Sequence, residues 1–208
     1  MTSNGACLHD YYICFPSSDR KYNKTFIDFY IALTLIFRKR NSYISVFFNL
    51  ISIIVAFDDI RNCPSNLVRN EELRAYNGRC YEFVIHHHKD WSHARDDCTS
   101  KGGNLAVIQS SSENNFIMTS LRSMNFTANG AWIGLTDQRI EGSWEWVTGE
   151  PVTFTYWGVG QPGLLHNQED CVVFKYTDSG HWHDYPCTGF LLIQENYPWI
   201  CEYSEFIF

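Results

Sequence analysis

The chain has 208 residues and a formal net charge of −7, a length that accommodates one domain of ordinary size and an additional segment. Its aromatic content of 16% argues against a disordered chain. Residues 1–56 carry six basic and three acidic side chains, whereas residues 57–208 carry ten and twenty, so the larger part is acidic and nucleic acid is not expected as a partner.

The N-terminal segment, residues 1–57, contains two apolar runs at 26–37 and 43–57, which are separated by three basic residues at 38–40. Neither run reaches the ~18–20 apolar residues that a membrane-spanning helix requires. The second run follows positive charges and ends with the small residue Ala56, which is the order of regions in a signal peptide. A signal peptide or signal anchor is therefore expected at about 41–57.

The internal position of this signal has two explanations. Residues 1–37 are an artefact of the start site in a gene model and the protein is secreted, or the segment is an uncleaved anchor with residues 1–40 in the cytosol. The second explanation makes the chain a single-pass type II membrane protein, which is the only case in which the membrane is a partner. A soluble core helix is a third interpretation. In the first two cases the domain, residues 58–208, is extracellular.

Six of the eight cysteines lie in the acidic part, at positions 63, 80, 98, 171, 187 and 201. None of them forms the Cys-x2-Cys or Cys-x4-Cys pair that is typical of a zinc finger or ribbon. An even number of cysteines without such pairs indicates disulfides formed in an oxidising compartment. Six cysteines permit fifteen connectivities, and the sequence by itself selects none of them.

The first predicted element is a hairpin. Asn77 and Gly78 form a turn signal, and residues 80–85 after it have the pattern of a strand. A bridge between Cys63 and Cys80 would pin this hairpin.

Two helices are predicted next. The first begins after Asp90 as the N-cap, ends at Gly102-Gly103, and has four residues at the spacing of one buried face: Trp91, Ala94, Arg95 and Cys98. Residues 104–108 read as a short strand. The capping box of Ser110 and Glu113 starts the second helix, whose apolar residues are Phe116, Ile117 and Leu121.

From Asn125 onward the helical periodicity fails, and short apolar pieces alternate with Gly, Pro and Asp. The order of one strand, two helices, and then strands with long loops predicts an α+β fold.

Seven motifs in register, over about residues 63–203, resemble the C-type lectin domain in its long form. The sequence around Glu141 and Glu169 most resembles that of the lectin modules of matrix proteoglycans and perlucin-like secreted lectins. The resemblance implies a single disulfide-tied domain with two helices, small antiparallel sheets and a long loop region. The motifs are Cys80-Tyr81-x-Phe83, Trp91-x-x-Ala94-Arg95-x-x-Cys98, Trp132-Ile133-Gly134-Leu135, Gly142-x-Trp144-x-Trp146, Glu169-Asp170-Cys171, Trp182-x-Asp184-x-x-Cys187 and Ile200-Cys201-Glu202.

The resemblance also implies the disulfides Cys98–Cys201 and Cys171–Cys187, with Cys63–Cys80 as the additional pair of the long form. This chain departs from the family in two respects. Its first pair is usually spaced more tightly, and the stretch 188–200 is longer than the usual gap before the last cysteine.

The resemblance implies calcium, a hard ion that takes six to eight oxygen ligands. The family has a sugar-bridging site and an auxiliary site beside it. The positions of the auxiliary site carry four carboxylates: Asp137, Glu141, Glu169 and Asp170. Asp137 and Glu141 are close in sequence beside Gly142, so a turn would bring both onto one ion. The alternative is that these two are solvated loop acids.

The sugar-bridging positions fall on Gln161, Gly163, Glu169, His183 and Asp184. Gly163 stands where the family has Asn or Asp, and His183 stands where it has Asn, so two side-chain oxygens are lost. Imidazole also suits zinc or copper better than calcium. Backbone carbonyls, water or the nearby Asn167 would have to replace the lost ligands.

The implied function is calcium-dependent binding of a carbohydrate or glycoprotein, without turnover. Gln161 and Glu169 would accept hydrogen bonds from the sugar, and Trp157 or Trp182 would stack on its apolar face. The pair Gln161-Pro162 resembles the galactose-type version of the site. Four tryptophans have an alternative to ligand contact, which is to fill the small hydrophobic core: Trp132, Trp144, Trp146 and Trp182.

Two other functions compete with this one. A module of the same fold that binds a protein or another non-sugar ligand without calcium agrees with the altered sugar-bridging positions. An enzyme would have to use His86-His87-His88 with His93, or His181-x-His183-Asp184, but the sequence has none of the established catalytic motifs. The chain is therefore not expected to be an enzyme. Asn125-Phe126-Thr127 is a glycosylation sequon, which predicts a glycan on Asn125 in a secreted chain.

Overall fold

The computed structural model describes residues 58–163, 168–189 and 195–204, together with two short N-terminal strands, β1 (Cys7–Leu8) and β2 (Ile13–Cys14). These two strands pair antiparallel. The chain divides into two compact units, Met1–Ile53 and Ile54–Phe208. The predicted signal segment at 41–57 and Asn167 lie outside the described residues. None of the described helices is long and apolar enough to span a membrane.

The second unit contains two helices and eight strands within the described ranges. In chain order they are β3 (Leu73–Tyr76), β4 (Arg79–Lys89), α1 (Trp91–Ser100), β5 (Asn104–Leu105), α2 (Ser111–Ser123), β6 (Ala131–Thr136), β7 (Glu145–Trp146), β8 (Cys171–Lys175), β9 (His181–Tyr185) and β10 (Tyr197–Ser204). Two single 3-10 turns lie at Ile60–Asn62 and Tyr176–Asp178. The predicted α+β class is confirmed.

These eight strands form one mixed sheet rather than separate small ones. Its order is β3-β4-β10-β6-β8-β9, with β5 paired to β10 and β7 paired to β6. The pairing of β10 with β6 is parallel, at Trp199 and Trp132, and the others are antiparallel. The sheet is continuous because β10 lies between β4 and β6 and hydrogen-bonds to both.

The first hairpin turns at Asn77 and Gly78, whose φ angles of 50° and 73° are both left-handed. A two-residue type I′ turn requires positive φ at both positions, which explains the Asn-Gly pair. The strand after it extends to Lys89, beyond the predicted end at residue 85, because β10 pairs with it as far as Tyr197.

Helix α1 begins at the predicted cap: the Asp90 carboxylate accepts a hydrogen bond from the backbone N–H of His93, at 2.9 Å. Its buried residues are Trp91, Ala94 and Cys98. Arg95, expected on the same face, is only half-buried, and its guanidinium lies 5.6 Å from the centre of the Trp91 ring. A long charged side chain thus covers the edge of the core while its head group stays in water.

Helix α2 begins with Ser110, whose hydroxyl accepts from the backbone N–H of Glu113 at 3.2 Å. In a capping box the Glu113 carboxylate would accept a hydrogen bond from the N–H of Ser110. Here it accepts from the N–H of the preceding residue, Gln109. Ile117 and Leu121 are buried, whereas Phe116 is half-buried and stacks on Tyr76 with 4.3 Å between ring centres.

The strand predicted at 104–108 is paired only over Asn104–Leu105. Ala106 still donates to the carbonyl of Ile200 and accepts from the N–H of Gly134, both at 2.8 Å. Its backbone groups are therefore satisfied although the ladder has ended.

Tryptophans occupy much of the core. Trp132, Trp146 and Trp182 are buried, as the core interpretation predicts, while Trp144 is half-buried at its margin. The indole N–H of Trp132 donates to the Lys89 carbonyl, and that of Trp182 donates to the Asn114 side chain, each at 2.9 Å. These rings are structural, and they hold the strands in register.

Three disulfides connect the second unit: Cys63–Cys80, Cys98–Cys201 and Cys171–Cys187. They are the pairs that the resemblance implies. The bridge from Cys98 joins α1 to the central strand β10 across 103 residues of sequence. The bridge from Cys171 joins the start of β8 to the residues after β9, and so closes the base of the loop region.

Candidate functional site

Three adjacent strands deliver the predicted carboxylates to one end of the sheet. Asp137 follows β6, Asp170 precedes β8, and Asp184 lies on β9. The N–H of Asp137 donates to the carbonyl of Asp170 at 3.2 Å, and Asp184 is paired with Val172. Strand register therefore explains why residues almost fifty positions apart in sequence meet at this end.

The loop after β6 folds back on itself. Ile140 N–H donates to the Asp137 carbonyl, and Ser143 N–H donates to the Ile140 carbonyl. Gly142, at φ +75°, takes the left-handed conformation that the second turn requires. Its N–H donates to the Asp137 carboxylate at 2.8 Å, so the loop is fastened to that side chain.

Asp137, Glu141 and Asp170 form the auxiliary carboxylate cluster. Asp137 is 2% exposed, and its Oδ1 has no hydrogen-bond partner among the described residues. Burial raises the pKa of Asp137, and the carboxylates of Glu141 and Asp170 raise it further. Burial, followed by Glu141, also raises the pKa of Asp170. Like charges have thus been brought together at a partly dehydrated position.

Gln161, Gly163, Glu169 and Asp184 form a second group, the bridging cluster. Both oxygens of the Asp184 carboxylate lie 2.8 Å from the Gly163 nitrogen, which donates to them. The Gln161 side-chain oxygen accepts from the Asp184 N–H at 3.3 Å. The bond from Gln161 to Pro162 is cis. Burial raises the pKa of Asp184, with a further contribution from the Glu141 carboxylate.

Gly163 is the point on which this cluster converges. A Cβ atom there would lie 2.8 Å from the Glu169 Oε2 and 3.4 Å from the Asp184 Oδ1. The missing side chain is therefore what allows the two carboxylates to approach the loop backbone so closely. Glu169, predicted for both calcium sites, is placed by these contacts in the bridging cluster.

The donor groups fit calcium in their chemistry, because they are hard carboxylate and amide oxygens and one of them is buried without a hydrogen bond. They do not form a ready-made cage: in the described part of the chain, no three His, Cys, Asp or Glu side chains converge as a metal-binding group.

His183 faces a partner that the sequence analysis missed. Its Nε2 lies 2.8 Å from the Asp178 Oδ2. Asp178 also contacts His181: the His181 Nδ1 lies 2.6 Å from the backbone oxygen of Asp178. The His181 ring stacks on Tyr156, with 4.4 Å between the ring centres. The hydrogen bond to His183 is the main reason that the pKa of Asp178 is lowered, with smaller contributions from both imidazoles. The 3-10 turn before β9 creates this contact, and its spacing matches no motif.

Trp157, predicted to stack on a sugar, is held against the core instead of standing free. Its ring centre lies 4.9 Å from that of Trp144 and 6.0 Å from that of Trp182. Trp182 is fully buried, which is the core position given as its alternative role, so its ring presents no exposed face for stacking. Tyr156, 38% exposed, and Val159, fully exposed, are the apolar side chains that this segment presents to solvent.

Two histidines of the predicted cluster, His86 on β4 and His93 on α1, contact separate carboxylates. His86 Nε2 lies 3.1 Å from the Glu72 carboxylate, and His93 Nδ1 lies 2.7 Å from that of Asp90. His86 and His93 thus contact different carboxylates on the surface, and their arrangement matches no catalytic constellation in the described residues.

The chain matches the family model of the lectin C-type domain over residues 87–203. It is 36% identical to the hepatic lectin of Gallus gallus over 122 residues, 58% of this chain and 55% of that protein. It is 39% identical to the alpha-N-acetylgalactosamine-specific lectin of Patiria pectinifera over 120 residues, 54% of this chain and 70% of that protein.

Among solved structures, the fold matches a calcium-independent type II antifreeze protein with a TM-score of 0.55 and 26% identity, over 67% of this chain and 97% of that one. The chain spans only about half the length of some curated relatives that it matches, such as the hepatic lectin at 55%.

Proposed function

Because the chain belongs to the C-type lectin domain family, we propose that it is an extracellular lectin that binds a carbohydrate or glycoprotein ligand with the help of calcium. The convergence of the Glu169 and Asp184 carboxylates on Gly163 carries this proposal. Two lectins among its relatives, one of them named for alpha-N-acetylgalactosamine, support the ligand class.

The bridging cluster has the chemistry of a cation site. Two carboxylates that approach the same backbone position repel each other, and this repulsion is strongest where burial lowers the effective dielectric constant. Asp184 is 5% exposed, so solvent screens it poorly. The Gly163 N–H compensates part of this charge, and a divalent cation would compensate the rest.

Calcium, when bound, supplies coordination positions at which two neighbouring sugar hydroxyls can replace water. The protein's own contribution is orientation. The Asp184 carboxylate holds the Gly163 backbone, the Gln161 amide oxygen is fixed by the Asp184 N–H, and both Gln161 and Glu169 accept hydrogen bonds from hydroxyl groups. Trp157 contributes an apolar wall whose position is set by its neighbouring tryptophans.

The auxiliary cluster would hold a second calcium with a structural role. Asp137, Glu141 and Asp170, together with Glu169, are its ligands. The buried Asp137 oxygen that lacks a hydrogen bond supports this assignment, since a buried polar atom without a partner is costly. Its effect would be to fix the loop after β6 against the start of β8.

The galactose preference is the finer part of the proposal. It rests on Gln161-Pro162 and is opposed by Gly163 and His183, which provide no amide or carboxylate oxygen to the ligand. Affinity for a single sugar is therefore expected to be weak.

The test is retention of the full chain on galactose and mannose resins in calcium, with release by EDTA. Glu169→Gln and Asp184→Asn are each expected to reduce retention at least tenfold, roughly 1.4 kcal/mol, because each removes a charge that binds the ion. Asp96→Asn is the matched control, since Asp96 is an exposed acid on α1 whose partner is Arg95. Retention on neither resin, together with no calcium-dependent thermal shift, would refute the lectin function.

The second candidate is a module that binds a protein or another non-sugar ligand without calcium. The contact between His183 and Asp178 favours it, because it occupies one ring nitrogen at a sugar-bridging position. The similarity of the fold to a calcium-independent antifreeze protein also favours it. Binding to a glycoprotein that persists in EDTA, and after enzymatic removal of its glycans, would select this function over the lectin.

Asn125 is expected to carry an N-linked glycan when the chain is expressed through a secretory pathway. Asn125 and Thr127 are exposed after α2, while Phe126 between them is buried and anchors the loop. Treatment with a glycosidase should lower the mass by one glycan, and Thr127→Ala should abolish this shift. An unchanged mass in wild-type protein that has reached the medium would contradict the prediction.

A further inference from the structure

A groove lies between β3, the edge strand of the sheet, and helix α2. Its volume of about 440 Å³ is in the range of small-ligand sites. Arg74 and Tyr76 form the β3 side of the groove. Six residues of α2, from Ser112 to Ser123, form the other side at the i, i+3, i+4, i+7, i+8 and i+11 spacing of one helix face. The groove is therefore built by regular elements and not by the loops that carry the two carboxylate clusters.

The charge in this groove is positive. Arg74 lines it, and no carboxylate does. The guanidinium is half-buried and donates to the Leu73 carbonyl at 3.0 Å, but within the described ranges it forms no ion pair. Burial lowers the pKa of Arg74, and the charge of Glu71 opposes this change only in part. A partly dehydrated cation is stabilised by a hydrogen-bonded anion, so the groove favours a negatively charged ligand.

This preference is local, because residues 57–208 as a whole carry ten basic and twenty acidic side chains. An acidic ligand is repelled by most of the domain surface, and the groove beside Arg74 is a place where it meets a cation without a neighbouring carboxylate in the lining.

The rest of the lining combines aromatic rings with neutral polar groups. Tyr76 and Phe116 are half-buried and stack on each other, with 4.3 Å between ring centres. Asn115 and Thr119 are exposed on the α2 side, and each carries both hydrogen-bond donors and acceptors. Ser120 also lines the groove although it is only 6% exposed, and its hydroxyl bonds to no other described residue. An aromatic surface beside hydroxyl and amide groups suits a sugar ring, which has apolar C–H groups on its faces and hydroxyls at its edge.

We propose that this groove is a second ligand site, which binds an acidic carbohydrate without calcium: the carboxylate pairs with Arg74, and sugar hydroxyls bond to Asn115 and Thr119. The planar fork of an arginine matches a carboxylate with two parallel hydrogen bonds. The ligand class is therefore a uronic or sialic acid and not a neutral sugar. The inference goes beyond the proposed function and does not depend on it, because no residue of either carboxylate cluster lines the groove.

Three probes with a six-membered ring separate the contribution of charge from that of hydroxyl groups. Methyl β-D-glucuronide carries both, methyl β-D-glucoside carries only the hydroxyls, and cyclohexanecarboxylate carries only the charge. Dissociation constants are measured by NMR titration of the full chain in EDTA, so that calcium does not contribute, and after removal of N-linked glycans, so that a glycan on Asn125 does not compete. The glucuronide is expected to bind about tenfold more tightly than either of the other two, since it alone makes both kinds of hydrogen bond.

Variants locate the site. Arg74→Gln should weaken glucuronide binding about tenfold and leave glucoside binding unchanged, and Arg74→Lys should recover part of the loss because it keeps the charge without the fork. Thr119→Trp, at an exposed position of α2, should fill the groove and abolish binding at an unchanged melting temperature. The control Arg95→Gln removes a half-buried arginine of α1 and should have no effect. Asp184→Asn should also retain glucuronide binding.

Three results would overturn the proposal. The first is wild-type affinity in folded Arg74→Gln or Thr119→Trp, and the second is the absence of glucuronide binding to the wild type. The third is equal affinity for the glucuronide and cyclohexanecarboxylate, which would make the groove a site for apolar acids. None of these results affects the proposed lectin function, which is measured by calcium-dependent retention on resin, and loss of that retention with intact glucuronide binding would refute the lectin function alone.

Discussion

Replacing both Cys98 and Cys201 with alanine is expected to lower the free energy of unfolding by about 4–5 kcal/mol, as the loss of a crosslink that closes a loop of some hundred residues predicts. Such a loss is comparable to the whole stability of a small domain, so much of the variant should be unfolded at 37 °C. The bridge connects α1 to β10, the strand that lies between β4 and β6 in the sheet. Denaturant unfolding of oxidised protein, followed by tryptophan fluorescence, measures the change.

The matched comparison is the double replacement of Cys63 and Cys80 with alanine. The disulfide between these two residues closes a loop of only 17 residues. The same model predicts a smaller loss of about 3 kcal/mol for it. Equal losses in the two variants would contradict the loop-length explanation and would indicate that packing around the buried sulfur atoms determines the stability.

Asp137→Asn is expected to have opposite effects without and with calcium. In EDTA the variant should be more stable than the wild type, because it removes the charge of a buried carboxylate that Glu141 and Asp170 repel. In calcium the order should reverse, since an ion present at 100 times its dissociation constant stabilises the folded wild type by about 2.7 kcal/mol. Melting temperatures at both conditions measure the two effects.

The control for this prediction is Glu145→Gln, because Glu145, on β7, is paired with Arg139 of the loop that carries Asp137 and is not an expected ligand. Its melting temperature should respond to calcium as the wild type does. A calcium-dependent shift of wild-type size in Asp137→Asn would remove Asp137 from the ligand set, and no shift in any variant would exclude the auxiliary site.

Local chemistry made much of the fold predictable. The Asp90 and Ser110 caps, and the turn at Asn77 and Gly78, depend on residues within four positions of each other, so the sequence displays them directly. The resemblance to the C-type lectin domain supplied the disulfide pairs, which spacing could not select.

Contacts that depend on distant parts of the chain were not predictable in this way. Strand β10 pairs in parallel with β6, with Trp199 opposite Trp132, and no local sequence pattern predicts this pairing. Within the site, the position of Trp157 against the core depends on two other tryptophans, and the contact of Asp178 with His183 depends on the 3-10 turn between them. Residue identities thus predicted the candidate ligands, while backbone geometry determined which side chains they contact.

The place of β10 in the sheet also bears on how the domain is made. During synthesis, β4 and β6 emerge long before Tyr197–Ser204, the strand that separates them. Until that strand arrives, both edges expose unpaired backbone groups, and Cys98 has no native partner. A chain that is truncated before Tyr197 would keep both edges unpaired and Cys98 without its partner, so it is expected to fail to fold rather than to form a shorter domain.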